Sequence, residues 1–501
     1  MPRLPTLLFL LFSALPALAT AQVSGYIGLD DTRLPLIEHL IATGALEDPS
    51  PFIRPFRRSD LLRVLAEADT AGPGVAESVR HLEAEFEVLS AESNWGVDLR
   101  GGFQTYTHAR QDPLHPEGQG GIQPYAEVGI EATAGPLVLV SRPALEPRLL
   151  DDPDWNGRKN IDISLRMVDA YLSAQWKPAR IFYGQMAQNW GPVGITGLAL
   201  GSVSYPRPTF GIDAQFGPFQ LGAQASELAD EADSLGQVVH RYFFAHRLDF
   251  RASKRLQLAL FETTVLSGVD RNFDGRYRNP VSLLLLTNEY GLGDKGNVIV
   301  GLDASWRAAR AVTLQAELVL DDFQYQHRSG PNRYPDRYAL TLAAFGPLGQ
   351  SMSWRALYSQ VSSLAFRTTN QFDNFVDAGV GIGRNFGGND QLTVRVGVPV
   401  RNSWLLTPEL TYLRQGEGNL ADPSPPRGPI SASTPTLFVG VVETTFRAAL
   451  GASGSWRGIR LSGDAAFHHI TNLDHQTGAS ANRFEGRLFA TLGFSRRGSF
   501  K

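Results

Sequence analysis

Cysteine is absent from the 501 residues. That excludes a disulfide framework, a thiolate nucleophile and any cysteine-ligated metal or cluster. Charge is sparse too. Asp, Glu, Lys and Arg make up 19% of the chain, and 46 basic residues against 50 acidic ones leave a formal net charge of −4. Such a chain carries no basic field, so it offers no electrostatic basis for a nucleic-acid partner. Beyond the N-terminal segment no long apolar run exists. The densest, Leu283 to Leu286, falls far short of the ~20 residues a membrane-crossing helix needs. Catalytic signatures are missing as well: there is no G-x-S-x-G, H-E-x-x-H or Walker loop. The Gly379-x-Gly381-x-Gly383 run imitates a dinucleotide fingerprint, but no helix pattern follows it. It reads better as glycine along one face of a strand. His468 and His469 point to opposite faces of a strand, so they cannot chelate one ion. Catalytic signatures are therefore scarce, and neither an enzymatic role nor a cofactor is expected.

What remains is rich in glycine, 50 of 501 residues, and in aromatics, at 10%. That suits a large β-protein. The first 21 residues read as a Sec-type signal peptide. Arg3 forms the basic region, Leu4 to Leu18 the apolar region, and Ala19-Thr20-Ala21 the small-residue cleavage site. No cysteine follows for lipid attachment. Residues 22–92 read as a small helical domain facing the periplasm. Leu34, Ile37, Leu40 and Ile41 fall at helical spacing and Gly44 closes the segment. Ser59 stands as the N-cap of a second helix, and Val75, Val79, Leu82 and Phe86 mark a third.

From Trp95 the period changes to two, and residues 93–501 read as one outer-membrane β-barrel. Segments of about ten residues alternate apolar with polar or small side chains. Leu392, Val394, Val396, Val398 and Val400 share one face, with Gln391, Thr393 and Arg395 on the other. The same alternation runs through 241–251, 297–306, 312–321 and 460–468. Charges of both signs occupy the middle of the hydrophilic faces. Connections alternate between tight turns, such as Gly217-Pro218, and long loops, such as 189–208 and 267–296. Only helices and closed barrels satisfy every backbone group in lipid, and short turns on one side with long loops on the other are the barrel's signature. Trp95, Trp176, Trp306, Trp404 and Trp456 suit interfacial girdles. The last strand reads as Glu485 to Phe494, leaving a seven-residue tail, Ser495 to Lys501. The count is 18 or 19 antiparallel strands, with the ambiguity at 376–414. Both chain ends on one side require an even number, so 18 is taken.

Two loops carry candidate chemistry. Asp270-Arg271-Asn272-Phe273-Asp274-Gly275 opens like an EF-hand loop, but Val281 stands where the closing carboxylate belongs. A solvated turn is the simpler reading. Loop 189–208 is long, partly apolar and stiffened by proline, and it is as well suited to folding inward as a plug or binding surface as to plain surface packing. Tyr183 and Gln185 share the inward parity of Asn189 and, with Trp190, Tyr205, Arg207 and the inward-facing Asp303, make up the candidate sugar-binding set. Aromatic faces beside amide and carboxylate groups are what sugars bind through, by stacking and hydrogen bonds.

Four stretches in order resemble the capsule-assembly Wzi family of outer-membrane barrels. The first is Thr32 to Leu46, followed by Pro55 and the Ser59–Ala66 segment. The second is Phe182-Tyr183-Gly184-Gln185 leading to Asn189-Trp190-Gly191-Pro192 and Pro206-Arg207-Pro208. The third is Arg278-Asn279-Pro280-Val281 with Gly296-Asn297 and Gly301-Leu302-Asp303, and the fourth is the terminal strand. The resemblance implies an 18-stranded barrel with a periplasmic helical bundle and a lectin-like, non-catalytic role. In that role the protein holds capsular polysaccharide or exopolysaccharide at the cell surface. Its partners would be that polysaccharide, outer-membrane lipid and, through the helical domain, export machinery or peptidoglycan. The charged inward faces alone also suit a porin-type diffusion channel.

Overall fold

The computed structural model describes residues 23–87, 94–273, 296–322, 333–401, 403–426 and 428–499, together with Asn279 and Ser329. The segment read as a signal peptide, and Asp274, Gly275 and Val281 of the EF-hand-like stretch, lie outside the described residues.

Eighteen antiparallel strands close into one barrel. They are β1 (Trp95–Tyr106), β2 (Gly121–Ala134), β3 (Leu137–Leu145), β4 (Leu165–Gln175), β5 (Ala179–Gln185), β6 (Thr209–Phe216), β7 (Phe219–Ala232), β8 (Val238–Arg251) and β9 (Leu256–Gly268). The wall continues with β10 (Asn297–Ala309), β11 (Val312–Asp322), β12 (Arg337–Leu348), β13 (Met352–Val361), β14 (Asn389–Arg401), β15 (Trp404–Gln415), β16 (Glu443–Trp456), β17 (Ile459–Thr471) and β18 (Ser480–Gly498). Each pairs with its sequence neighbour. β18 closes on β1 in a register running from Trp95↔Gly498 to Tyr106↔Arg487. Closure leaves no edge strand, which is the condition for backbone inside lipid.

The alternation sorts as period two demands. Leu392 and Val394 on β14, Leu302 on β10, Leu314 on β11, Leu410 on β15 and Phe467 on β17 are exposed on the outer wall. Their neighbours Thr393, Asp303, Gln315, Glu317 and His468 are buried inside. Two outward residues of β8, Tyr242 and Phe244, are covered instead, because Phe273 of the β9–β10 loop packs on both, with ring centroids 5.6 and 5.3 Å away. The five tryptophans singled out above all sit at the short-turn ends of strands, and Trp306 and Trp456 are exposed there.

Two details of the barrel wall differ from the sequence reading. The terminal strand runs on past Phe494 to Gly498, so the polar residues Ser495 to Arg497 are paired with β1 rather than forming a tail. Asp98 holds them, accepting from Arg497 at 2.7 Å and from the Ser495 hydroxyl. The ambiguity at 376–414 resolves because Val376–Asp377 and Val380–Gly381 form a separate two-residue hairpin within the β13–β14 loop, not a wall strand.

Among the described residues, three helices precede the barrel: α1 (Leu34–Thr43), α2 (Arg58–Ala66) and α3 (Val75–Glu87). Gly44 ends α1 at φ +81°, the left-handed conformation that favours glycine. Ser59 is not the N-cap of α2, since that place belongs to Arg57. The Ser59 amide instead donates to the hydroxyl of Ser24, 2.9 Å away, so a distant residue satisfies the helix end. Ile37, Leu40, Leu61, Leu65, Leu82 and Phe86 bury together as the helical core.

This helical unit packs against the short-turn end of the barrel. α1 lies against β12 and β13, and His39 Nδ1 meets the Ser353 hydroxyl at 2.8 Å. Around the rim, Arg58 donates to Glu131 at 2.9 Å, Arg142 to Asp30 at 2.6 Å and Arg251 to Glu47 at 3.4 Å.

Candidate ligand-binding lumen

The lumen has two unlike halves. One is dry. Phe243, Phe261, Val265, Ile299, Val319, Ala339 and Val361 face inward from β8 to β13, a departure from the polar interior usual in a channel. Trp190 and Leu198 to Leu200 from the β5–β6 loop, and Phe366, Phe375 and Ile382 from the β13–β14 loop, fill the space against them.

At the centre, chain from the two ends of the barrel meets. A finger between α1 and α2 enters from the short-turn mouth, and its Ile53–Arg54 forms an antiparallel pair with Asn189–Trp190 of the β5–β6 loop. The Gly191 amide donates to the Phe52 carbonyl at 2.8 Å, and Gln315 Nε2 to the Pro51 carbonyl at 3.1 Å. Beneath the pair lies Arg247, fully buried. It is bound to Asp249 at 2.9 Å and Asp303 at 2.8 Å, and its guanidinium lies 5.2–5.7 Å from the rings of Trp190, Phe52 and Phe261. A buried guanidinium is tolerable only when paired in this way.

The Asn189–Gly197 sequence explains how its loop folds inward. Asn189 Oδ1 accepts from the Gly197 amide at 2.8 Å, and the Leu198 amide donates to the Glu317 carboxylate at 3.1 Å. Gly191 and Gly194 hold φ of +104° and +91°. At Gly197 a Cβ would lie 1.8 Å from the Trp190 carbonyl oxygen, so only glycine fits.

The other half is polar. Along β2–β4, Arg142 bridges Asp30, Glu127 and Asp169, while Glu146 takes Arg148 at 2.8 Å and Arg166 at 2.6 Å. Along β14–β18, Glu409 holds Arg395 and Arg447, and Asp464 holds Arg447 and Arg487. Between these networks lies a cavity of about 630 Å³. Its roof includes Ser202 to Pro206 of the β5–β6 loop, and Leu29, Asp30 and Pro35 of the helical unit also line it. Tyr205 stands in the roof. Its hydroxyl donates to Asp152 at 2.6 Å and accepts from Arg148 at 3.1 Å, and Trp155 packs edge-on at 4.7 Å. Burial, helped by the Asp152 and Glu146 charges and opposed by Arg148, pushes the Tyr205 hydroxyl well above its usual range, so it stays a donor.

Of the seven residues picked from sequence, Tyr205 alone lines this cavity. Tyr183 does not face inward: it stands opposite Leu172 and Phe210 on the outer wall and is 63% exposed. Gln185 ends β5, half-buried, with its amide donating to the Met167 carbonyl at 3.2 Å. The parity count fails because β5 stops at Gln185 and Asn189 belongs to the lumenal pair rather than to the same strand. Asn189 and Trp190 are inside, but as the framework of the plug. Asp303 does face inward, yet it is wholly buried against Arg247. Arg207 pairs with Asp377 of the small hairpin at 2.9 Å. The cavity's main polar residues, Glu146, Arg148, Arg166, Glu409, Arg447 and Arg487, were missed. Their signal in the sequence is the mid-strand charge of both signs, a pattern that does not single out particular residues.

No protein-family model matches the sequence, and no curated protein matches it. Solved structures do match the fold. Wzi, an outer-membrane protein involved in group 1 capsule assembly in Escherichia coli and described as a carbohydrate-binding β-barrel, aligns with a TM-score of 0.64 at 16% identity, over 95% of this chain and 100% of that one. OprD from Pseudomonas aeruginosa aligns at 0.45 and 11% identity, over 82% and 96% of the two chains. A BenF-like porin from Pseudomonas fluorescens Pf-5 gives 0.45 and 11%, over 81% and 99%. In fold, the chain is an 18-stranded outer-membrane β-barrel similar to Wzi.

Proposed function

We propose that this chain binds capsular polysaccharide or exopolysaccharide without turning it over, and helps to assemble or retain it at the cell surface. The observation that carries the reading is the occupied lumen. The Ile53–Arg54 and Asn189–Trp190 pair lies across the middle of the barrel, with a packed apolar core on one side of it. That arrangement favours a rigid scaffold for presenting loops over a diffusion path. Likeness of fold to a carbohydrate-binding barrel supports the same reading. In this reading residues 1–21 are removed after Sec export. Residues 22–92 form the periplasmic domain, whose outer face meets export machinery or peptidoglycan. Residues 93–501 form the barrel, with the long loops outside and lipid against the apolar band.

The test is binding of the purified, detergent-solubilised protein to surface polysaccharide from its own cells, together with planar-bilayer conductance. Retention of polymer without stable openings is expected. Failure to retain any polymer, with cell-associated polysaccharide unchanged after gene deletion, would sink the reading. Large stable openings would favour the porin-type alternative.

A further inference from the structure

Closure of the ring pairs both edges of a strand only as far as its neighbours reach, and β18 outruns one of them. Its register with β17 ends at Ile459↔Leu492, yet β18 continues to Gly498. The overhang, Gly493–Gly498, spans about 20 Å. The overhangs on either side are shorter. β16 passes Gly454, the partner of Trp404, only to Trp456, and β2 passes Ala132, the partner of Trp95, only to Ala134.

One edge of the overhang is covered by β1. The other is open. The Gly493 amide donates to the Gly458 carbonyl of the β16–β17 turn at 3.4 Å, and there the ladder with β17 stops. Backbone groups alternate sides along a strand, so the amides and carbonyls of Ser495 and Arg497 point the same way as those of Gly493. Among the described residues no strand stands there to meet them. Gly493, Phe494, Ser495 and Arg496 are all exposed. Free donors and acceptors along an extended strand are a template for one more strand.

The charge beside the edge selects the occupant. Arg496 shares the outward parity of Leu492 and Phe494, and its side chain meets no carboxylate among the described residues. Arg457, exposed in the adjoining turn, lies 5.1 Å over the Trp456 ring and likewise meets none. Asp98, facing the overhang from β1, is already taken by Arg497 at 2.7 Å and by the Ser495 hydroxyl. A second copy pairing edge to edge would bring the Arg496 side chains of both chains into one short ladder, where like charges destabilise. An acidic strand instead supplies the missing counter-charge. We propose that the open edge of β18 is a docking site for an extended, acidic segment of a partner polypeptide. The segment adds as a strand in line with β17, with its carboxylates beside Arg457 and Arg496. This goes beyond the polysaccharide-binding reading and takes from it only the placing of the short-turn end in the periplasm.

The test uses the full-length barrel in detergent and fluorescence anisotropy of labelled short peptides. One peptide alternates glutamate with valine, one lysine with valine, and one glutamate with proline, which carries the charge but cannot form a ladder. The glutamate–valine peptide should bind about tenfold more tightly than either of the others. Ser495→Pro removes an edge donor on the side away from β1, where proline is tolerated. It should weaken binding roughly tenfold, the scale of one lost hydrogen bond, while the barrel keeps its resistance to unheated SDS. Arg496→Glu should reverse the preference between the glutamate–valine and lysine–valine peptides, and it decides the matter if Ser495→Pro does not fold. Equal binding of the glutamate–proline peptide, a preference unchanged by Arg496→Glu, or undiminished binding by a folded Ser495→Pro barrel overturns the proposal. So do dimers of the parent protein that Ser495→Pro dissolves, since the occupant is then a second copy. Polysaccharide retention should be the same in parent and variants, so its failure in the parent sinks the surface-binding reading alone.

Discussion

Replacing Trp190 by alanine tests whether the plug is a separate energetic unit within the barrel. Trp190 is 6% exposed and packs edge-on against Phe261 at 6.1 Å, with the Arg247 guanidinium 5.2 Å from its ring. Truncating a buried tryptophan costs about 3–5 kcal/mol in transfer and cavity terms. Loss of a desolvated cation–π contact adds about 1–2 kcal/mol. Partial collapse of the site returns some of this, so a net cost near 4 kcal/mol is expected. At about 1.4 kcal/mol per decade, that corresponds to roughly three decades in the opening equilibrium. The loss should stay local, because the strand ladder involves none of these contacts. Native-state hydrogen exchange reads it directly. The amides of Trp190, which donates to the Leu200 carbonyl at 2.9 Å, and of Gly191, which donates to Phe52, should lose about a thousandfold in protection. Amides in the middle of β14 to β18 should keep theirs. If the plug amides change by less than tenfold, or if strand protection falls by the same factor, the plug and wall are not separable and the reasoning is wrong.

Other outcomes follow from the same contacts. Burial lowers His39 to about 4 from its usual 6.5. Its folded value is thus depressed, and stability is lost as pH falls from 6.5 towards 4, with about 2 kcal/mol gone from α1 docking by pH 5. Proteolysis of the helical unit at pH 7 and pH 5 should show this, and His39→Gln should flatten the dependence. A Gly197→Ala methyl collides with the Trp190 carbonyl and should cost 3 kcal/mol or more, on the order of other strained substitutions. Exchange protection at Leu198, read against the parent protein, would reveal it, and unchanged protection would contradict the geometry. Arginine in place of Leu410, which is mid-strand and lipid-facing, should lower barrel stability by up to about 2–4 kcal/mol in urea titrations in liposomes. Tyr183→Leu, on the same outer wall, should leave polysaccharide retention at the parental level, and a loss would restore Tyr183 to the binding set.

The wall was readable because period-two alternation is local. Residues such as Val394 and Leu302 declare their face through their immediate neighbours. The helical unit was readable for the same reason, down to Gly44. The interior was not, because its contacts join distant parts of the chain. Nothing around Ile53 announces that it will pair with Trp190, and nothing around Asp303 announces Arg247. The parity argument that placed Tyr183 inside assumed one continuous strand from 183 to 189, and a strand end cancels such a count. Ser495 to Arg497 looked like a tail because polar residues lack the apolar alternation, while their pairing with β1 is set by closure of the ring. The cavity could not be found from sequence because each of its charges looks like any other inward-facing charge until the register of the neighbouring strand that carries its partner is known.

The two-residue pair at the centre also fixes how load travels through the molecule. Under the proposed function, a polymer held by the loops beyond one mouth would pull on the β5–β6 segment. That segment is stitched by backbone hydrogen bonds to a finger rooted in the helices at the opposite mouth. Tension applied at one side of the bilayer is therefore shared with the bundle at the other, as in a bolt secured by a nut, rather than ending in the thin cylinder between them.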